Sequence, residues 1–405
     1  MALTLLEQML FLQRLPQTGV ASYWNLIDRF GSVDKIFRAP VSQLRESLHA
    51  DALAQWQLLS SLGDNHPLLI RVRHDITWLH ERNIHILGPE HEHYPRLMRE
   101  VKRAPPLLYV WGDPIVLSLP QIAIVGSRKP TLGGKLNATR FARSLAEAGF
   151  AITSGLALGV DVAAHAGALE GHGKTIAILG TGIDQIYPAR HIAMAEQIVA
   201  AGGAIVTEFP VATGALAANF PQRNRIISGL ACGVLVVEAA VQSGSLITAR
   251  YAMQQNREVF AIPGSIQNAL SRGCHALIKD GAKLVETPLD IIEELDGMLA
   301  FKRSELKSLV PKQSVKTKKA VPAITQEGQV KQKNREMAAS TIPLAQELDA
   351  SENLILACLG FDPVTFDEIA EDITIATGDL MAGLLTLELK GLVSNSGQGY
   401  CRARH

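Results

Sequence analysis

The sequence predicts an α/β protein with a doubly wound, Rossmann-like parallel sheet at its centre, a helical bundle before it and a winged helix after it. Between residues 121 and 299, short apolar runs such as "IAIVG" and "GVLVVEA" alternate with helical stretches. Nearly continuous apolar strands separated by helices indicate a parallel sheet that is covered on both faces. Because such sheets bind ligands at the carboxyl ends of their strands, we expect the functional residues at that edge.

The segments on either side of the core are predicted to form separate units. Residues 1–80 place apolar residues at helical spacing with several breaks, which is typical of a SAM-like or helix-hairpin-helix-like domain. Some modules of this kind bind the DNA backbone and many bind only protein. Residues 81–120 are assigned to a connector. Residues 345–405 contain three helical stretches and a hairpin-like end, which is the element order of a winged helix.

Charge is distributed unevenly over the last hundred residues. Residues 302–336 contain 10 Lys and Arg against 3 Asp and Glu, and residues 337–405 contain 3 against 10. The polar, basic segment 302–344 is therefore predicted to be a flexible linker, which either only tethers the last domain or also touches DNA. The acidic balance of the winged helix disfavours phosphate contact, so we expect that domain to bind protein.

The composition of the whole chain argues against several classes of protein. The formal net charge is +0 and aromatic residues make up 5% of the chain, so no overall field indicates nucleic acid or a membrane. No apolar stretch is long enough to cross a bilayer, and the first residues lack the features of a signal peptide. The 4 cysteines lie far apart without a C-x-x-C motif. We therefore predict a cytoplasmic protein with no metal and no cofactor.

Two glycine-rich stretches do not match the nucleotide-binding motifs that they resemble. "GHGKT" at 171–175 has Ala168 at the first glycine position of a P-loop, and it precedes a strand instead of following one. "VGSRKPTLGGK" has neither P-loop spacing nor that of G-x-G-x-x-G. ATPase activity and ordinary dinucleotide binding are therefore disfavoured.

Cationic and hydroxyl side chains follow several predicted strands. In a doubly wound sheet these strand ends share one edge, and "SGSLIT" opens a helix whose free amides favour an anion. Several cations without a paired acid predict phosphate binding there, and an aromatic ring beside them predicts single-stranded nucleic acid. The predicted DNA-binding residues are Ser127, Arg128, Arg190, Phe220, Arg223, Asn224, Arg225, Ser243, Gly244, Ser245 and Thr248.

Ordinary structural roles remain open for the same residues. Arg225 could pair with Glu208 or Glu238, and Phe220 could belong to the core. Asp161 and His165, four residues apart in "SGLALGVDVAAH", are interpreted as a capping carboxylate and a packed histidine.

In these motifs the sequence resembles the DNA-processing protein A family (DprA, also called Smf). "VGSR", "SGLALGVDVAAH", "ILGTGIDQIYP", "NFPQRNRIISGLACGVLVVEA", "SGSLITARYA", "VFAIPG" and "GCHALIKDGA" occur in the family's order, and the likeness covers 121–285 closely. The resemblance implies a non-catalytic protein that binds incoming single-stranded DNA in natural transformation, protects it and helps to load RecA. It also implies a homodimer through the Rossmann-like domain.

Carried over by position, the family's DNA groove includes every predicted residue named above except Arg190. Some members have a lysine after the Tyr-Pro of "IYP" and another shortly before the "FP" of "NFPQRNR". Ala189 and Ala217 stand at those places here, and Arg190 is a possible substitute for the first lysine. Affinity per protomer could therefore be weaker or depend on the basic linker.

Two other functions remain as alternatives. A phosphoribohydrolase of the LOG type would act on nucleoside monophosphates, but Ala249 and Arg250 follow Thr248 where a catalytic acid is expected, and Glu238 lies on the preceding strand. A purely structural adaptor would pair the arginines at the strand ends internally. It predicts that Arg223→Ala lowers stability instead of binding.

Overall fold

The first part of the chain forms short helices whose ends are set by local hydrogen bonds. Helix α1 (Leu5–Arg14) begins with a capping box, in which Thr4 Oγ1 accepts from Glu7 N at 3.2 Å and Thr4 N donates to Glu7 Oε2 at 2.8 Å. Helix α2 (Val20–Phe30) is capped at its C-terminus by Gly31, whose φ of 86° suits glycine. The further helices are α3 (Val33–Arg38), α4 (Val41–Leu44), α5 (Ala50–Leu62) and α6 (Pro67–Glu81), with a 3-10 turn at Gly63–Asn65.

This computed structural model describes residues 3–295, 348–360, 363–373, 375–395 and 399–403. The predicted linker, 302–344, lies outside these ranges. Within them the helical bundle packs on one face of the sheet, where Phe11 and Leu26 share an apolar cluster with Ala177 and Ile205.

A nine-stranded sheet lies at the centre of the described chain, in the order β1-β2-β6-β5-β4-β3-β7-β8-β9. The strands are β1 (Ile84–Leu87), β2 (Leu108–Gly112), β3 (Gln121–Val125), β4 (Ala151–Ser154), β5 (Thr175–Ile178), β6 (Ala204–Thr207), β7 (Gly233–Val236), β8 (Glu258–Ala261) and β9 (Lys283–Leu284). From β6 to β9 all pairs are parallel, which confirms the predicted doubly wound sheet.

Residues 81–120 differ from the expected connector, since they supply the two antiparallel edge strands. Strand β2 pairs with β6, with Val110 opposite Val206, and β1 pairs with β2. Tyr109 and Val110 are buried because helices cover this edge as well.

Helices cover both faces of the sheet. They are α7 (Arg96–Arg99), α8 (Leu132–Glu147), α9 (Val160–Glu170), α10 (Ile192–Ala200), α11 (Asn219–Leu230), α12 (Ser245–Gln254) and α13 (Arg272–Lys279), with 3-10 turns at Pro114–Ser118 and Ala189–His191 and a helical segment at 288–295. The chain runs outward from β3 to β6 and then returns to β7 beside β3. This reversal opens a crevice beyond the carboxyl ends of β3 and β7.

The C-terminal residues form the predicted winged helix, with α14 (Ala350–Cys358), α15 (Phe366–Asp372), α16 (Thr377–Leu389) and the hairpin β10 (Val393–Asn395) and β11 (Tyr400–Arg402). Leu132 of α8 belongs to the apolar cluster of this domain. Lys135 pairs with Asp372, and Arg140 Nη2 lies 2.9 Å from Glu368 Oε1. The winged helix therefore rests on α8 in the described chain.

Candidate nucleic-acid interface

A cavity of about 680 Å³ lies in the crevice between β3 and β7. We call it the proximal cavity. Nine of the eleven predicted residues line it, and Arg190 and Arg225 do not. The nine are Ser127, Arg128, Phe220, Arg223, Asn224, Ser243, Gly244, Ser245 and Thr248.

The loop after β3 presents Arg128 to solvent from a fixed backbone. Ser127 Oγ accepts from Lys129 N at 3.1 Å, and Ser127 O accepts from Val160 N at 3.1 Å. Gly159 has a φ of 77°, and a Cβ on it would lie 2.4 Å from Ser127 O, so only glycine lets α9 start this close to the loop. Arg128 is exposed and has no ion pair among the described residues. It is therefore available to an anion.

Two aromatic rings form a wall of the cavity beside Arg128. The ring centroids of Phe220 and Tyr187 lie 5.5 Å apart at an interplanar angle of 49°, and Arg128 Cζ lies 6.0 Å from the Phe220 centroid. Phe220 packs against Gly180, where a Cβ would lie 2.8 Å from Phe220 Cδ1. Tyr187 is 50% exposed. It was not among the predicted residues, although it belongs to the "IYP" motif.

The start of α12 also lines the cavity. Ser243 Oγ lies 2.7 Å from Ser245 Oγ, and Asn224 Nδ2 donates to Gly244 O at 3.3 Å. No acidic residue lies in the first turn of α12. The positive end of the helix dipole and the two hydroxyls therefore favour an anion at this side of the cavity.

Arg223 lines the cavity as a buried structural residue, not as an unpaired phosphate ligand. Its exposure is 4%, and Nη1 donates to Gly155 O at 2.7 Å and to Ile178 O. Burial lowers the pKa of Arg223 to about 10 despite the opposing effect of Asp161, so the guanidinium stays charged near neutral pH. The prediction of a free cation is wrong here, because the side chain joins the ends of β4 and β5.

Arg225 also differs from the prediction of an unpaired cation. It forms an ion pair with the buried Glu208, and its Nη1 donates to Arg103 O at 3.0 Å. The ordinary interpretation of Arg225 is therefore supported. Arg190 is exposed on the turn Ala189–His191, outside the residues that line the proximal cavity.

His165 is a packed histidine as expected, but Asp161 does not cap α9, which has no side-chain cap, and instead holds the loop before that helix. Asp161 Oδ2 accepts from Gly155 N at 3.1 Å and from Ala157 N at 3.3 Å. His165 Nδ1 lies 2.7 Å from Thr175 Oγ1, and burial lowers the pKa of His165 to about 3, with smaller contributions from His191 and Arg223. The imidazole is therefore neutral at physiological pH.

Glu238 is also engaged within the fold. Its carboxylate accepts from Thr131 N at 2.9 Å and from Thr131 Oγ1 at 2.7 Å, and it lies against Gly134, where a Cβ would be 2.5 Å away. This carboxylate therefore holds the first turn of α8.

Among the described residues, no cluster of three or more His, Cys, Asp or Glu side chains could hold a metal ion. In the same residues no helix combines the length and apolarity needed to cross a membrane.

Residues 85–296 match the model of the family described as DNA recombination-mediator protein A, and residues 339–399 match the DprA winged helix domain. Protein Smf of Escherichia coli (strain K12) is 38% identical over 333 residues, with 82% of this chain and 81% of the relative covered. DNA processing protein DprA of Streptococcus pneumoniae (strain ATCC BAA-255 / R6) is 44% identical over 203 residues, which cover 50% of this chain and 71% of the relative.

A solved structure supports the same relationship. The X-ray structure of DNA processing protein A from Streptococcus pneumoniae superposes with a TM-score of 0.59 and 33% identity, covering 73% of this chain and 99% of that chain. The ordered motifs, the fold and these matches agree. This chain belongs to the DNA recombination-mediator protein A (DprA/Smf) family.

Proposed function

We propose that this protein binds single-stranded DNA in the proximal cavity and acts as a recombination mediator. The observation that carries the proposal is the position of Arg128 over the Phe220 ring, with Tyr187 beside it, in a cavity that the start of α12 also lines. An exposed cation, a helix N-terminus and adjacent aromatic faces are the groups that bind phosphates and unstacked bases together. The family's description as a DNA recombination-mediator supports this choice of ligand.

The arrangement favours a single strand over a duplex. Tyr187 can offer its ring to a base only if that base is unstacked from its neighbours, and such stacking is worth about 1–3 kcal/mol per base. The proximal cavity is also lined by both Arg128 and the Ser243–Ser245 turn, so it offers the strand two separate groups that favour phosphate.

Fluorescence anisotropy with labelled oligo-dT and a duplex of equal length tests this function. We expect tight binding of the single strand, weaker binding of the duplex, and at least a fivefold loss for Tyr187→Ala, on the order of one lost stacking contact. Ile192→Ala is the matched control, since Ile192 is 46% exposed on neighbouring α10 and does not line the cavity. Equal binding of both DNAs, or equal effects of the two variants, would contradict the proposal.

We further propose that the protein protects incoming DNA in natural transformation, passes the strand to RecA and works as a homodimer through its α/β core. The resemblance of the motifs to the DprA/Smf family supports these steps. Light scattering should give twice the mass of the 43.7 kDa chain. RecA filament formation on strands coated with single-strand-binding protein should accelerate in its presence. A monomer, or no acceleration, would refute the respective step.

We propose that the winged helix binds protein and not DNA. Along α16, Met381, Leu385 and Leu389 are 58%, 58% and 82% exposed at a spacing of four residues, which makes one apolar stripe. Lys390 at the end of α16 is paired with Glu352, with Nζ 2.7 Å from Oε1. We expect Leu385→Glu with Leu389→Glu to leave duplex affinity unchanged. A loss of duplex binding would assign this helix to DNA.

A further inference from the structure

A second cavity, of about 520 Å³, lies at the opposite end of α12 from the proximal cavity. We call it the distal cavity. Its cations are Lys102, Arg103, Arg225 and Arg257, and the lining residues include one carboxylate, Glu100. Of the eleven predicted DNA-binding residues, only Arg225 lines the distal cavity. The distal cavity is therefore a second positively charged site, separate from the proximal cavity.

The charges of the distal cavity are not fully compensated. Arg225 is paired with Glu208, and Arg257 Nη1 lies 3.3 Å from Glu100 Oε2. Lys102 and Arg103 are exposed at the rim and have no ion pair among the described residues. Two cations are therefore left for a ligand, which must be anionic.

The loop that carries these cations is held in an unusual conformation. Arg103 has a φ of 60°, a left-handed conformation that is uncommon for a long side chain. It is fixed on both sides, because Arg225 Nη1 donates to Arg103 O at 3.0 Å and Trp24 Nε1 donates to Ala104 O at 2.7 Å. Observed backbone strain of this kind, over-determined by its surroundings, is frequent at ligand sites.

An incompletely bonded guanidinium forms part of the wall. Arg257 donates from Nη2 to Leu97 O at 2.8 Å, and its side chain is 8% exposed. Its Nε is buried and has no hydrogen-bond partner among the described residues. A buried donor without a partner costs free energy, so an acceptor supplied by a ligand would stabilise this wall.

The other lining groups are those that hold a nucleotide. Tyr251 contributes a half-buried ring, and Gln254 and Asn256 contribute side-chain amides, whereas the Gln255 amide is bonded to Ser228 Oγ and Arg225 O. Aromatic rings stack on bases, and amides hydrogen-bond to base edges. The anion that fits this surface is therefore a phosphate that carries a base.

Helix α12 sets the separation between the two cavities. Ser245, its first residue, lines the proximal cavity, and Gln254, its last residue, lines the distal one. Ten helical residues span roughly 15 Å at about 1.5 Å per residue, so a few nucleotides can bridge the two cavities.

We propose that the distal cavity is a second nucleotide-binding subsite on the path of the same single strand. The inference rests on the proposed function, because it takes the strand to enter at Arg128. Lys102 and Arg103 bind the phosphate, and Tyr251 faces the base. Arg225 positions the loop through the Arg103 carbonyl and does not bind the strand itself.

The test is oligonucleotide length dependence in the full chain. The variant is Lys102→Ala with Arg103→Asn, since asparagine tolerates a left-handed φ. Its matched control is Lys35→Ala with Arg38→Ala, which removes two exposed cations from α3. Neither residue lines the proximal or the distal cavity. Arg128→Ala reports on the proximal cavity. Each protein is titrated with oligo-dT of about four and about twenty nucleotides, lengths that bracket common site sizes.

We expect the double variant to bind the short oligonucleotide like the wild type and the long one on the order of tenfold more weakly. For the long oligonucleotide, the magnitude of the slope of log K against log salt should fall by about 1.4, since each lost phosphate contact removes about 0.7. The control should match the wild type. Lys102→Glu alone, which leaves the Arg103 backbone unchanged, should show a loss in the same direction.

The outcomes separate the two proposals. If Arg128→Ala weakens both oligonucleotides and the double variant matches the wild type on the long one, the distal subsite is refuted and the proposed function stands. If no oligonucleotide binds, the proposed function itself fails. If thymidine monophosphate binds and is lost in the double variant while long-strand affinity is unchanged, the cavity takes a free nucleotide and the strand path is wrong.

Discussion

Arg223 Nη1 donates a 2.7 Å hydrogen bond to the carbonyl oxygen of Gly155, across the ends of two neighbouring parallel strands. A Cβ at position 155 would lie 2.5 Å from this nitrogen, so the glycine is required for the contact. The same Nη1 also donates to Ile178 O. The buried Arg223 guanidinium therefore links the ends of β4 and β5 through their main-chain oxygens, at the wall of the proximal cavity.

This arrangement predicts that Arg223→Ala is destabilising. Removal of the guanidinium leaves the buried acceptors Gly155 O and Ile178 O without a charged donor, and it removes a positive charge that acts on the buried Asp161. A buried acceptor left without its partner costs about 1–3 kcal/mol. Urea unfolding measures the change. Arg128→Ala is the control, and because Arg128 is exposed we expect its effect to stay within about 0.5 kcal/mol. Equal stability of the two variants would refute the structural role of Arg223.

Gly180 is predicted to set the position of the Phe220 ring. Gly180→Ala places a methyl group 2.8 Å from Phe220 Cδ1, so the ring must shift from its present position beside Tyr187 and Arg128. We expect Gly180→Ala to bind oligo-dT more weakly than the wild type, as measured by fluorescence anisotropy. Thermal unfolding should show that the variant is still folded. Gly133→Ala is the control, since the nearest atom to its Cβ is Thr131 Oγ1 at 3.8 Å. Unchanged affinity in Gly180→Ala would remove Phe220 from the binding surface.

A substitution at Gly244 can test DNA binding without a loss of stability, because this glycine lines the proximal cavity and is not required by the fold. Chain neighbours aside, no atom of the described residues lies within 4 Å of a Cβ built at this position, and its φ is −60°, which any residue adopts. Gly244→Ala should therefore leave stability unchanged or raise it by about 0.4–1 kcal/mol. If a phosphate approaches the start of α12, the same variant weakens DNA binding. A variant that binds like the wild type would place the phosphate elsewhere.

The buried His165 is expected to cause part of the protein's loss of stability in acid. Its pKa is lowered from 6.5 to about 3 by burial, so below pH 6.5 the unfolded chain binds a proton that the folded chain does not. Stability from this group is complete above pH 6.5 and declines as the pH falls toward 3, by roughly 1.4 kcal/mol per pH unit at most.

Urea unfolding of wild type and His165→Asn between these pH values measures that contribution. The free energy of unfolding of the wild type should fall more steeply on acidification than that of His165→Asn. The difference in slope should correspond to one additional proton bound on unfolding. Parallel pH profiles for the two proteins would show that His165 does not titrate in this way.

The edge of the sheet that carries the proposed binding site was predictable, but the direction of each arginine was not. Strand ends and glycine turns placed nine of the eleven residues around one cavity, because a doubly wound sheet has one such edge. Arg223 and Arg225 are two residues apart on α11 and so point about 200° apart around the helix. One reaches Gly155 and the other Glu208, and both partners lie far away in sequence.

Strands β1 and β2 were missed for a similar physical reason. "IHIL" and "LYVWG" are short, and they are strands because β2 pairs with β6, nearly a hundred residues later. Local pattern carries little information about such long-range pairing. Tyr187 was missed because its role depends on the ring of Phe220, which is brought beside it only by the fold.

The most direct test of DNA binding in the proximal cavity is the salt dependence of oligo-dT affinity for Arg128→Ala. The control is Arg143→Ala, since Arg143 is 49% exposed and its Nε lies 4.0 Å from Glu147 Oε1 on α8. We predict that Arg128→Ala weakens binding and lowers the slope of log K against log salt by about 0.7, the value of one single-strand phosphate. A slope and affinity equal to those of Arg143→Ala would contradict binding in this cavity.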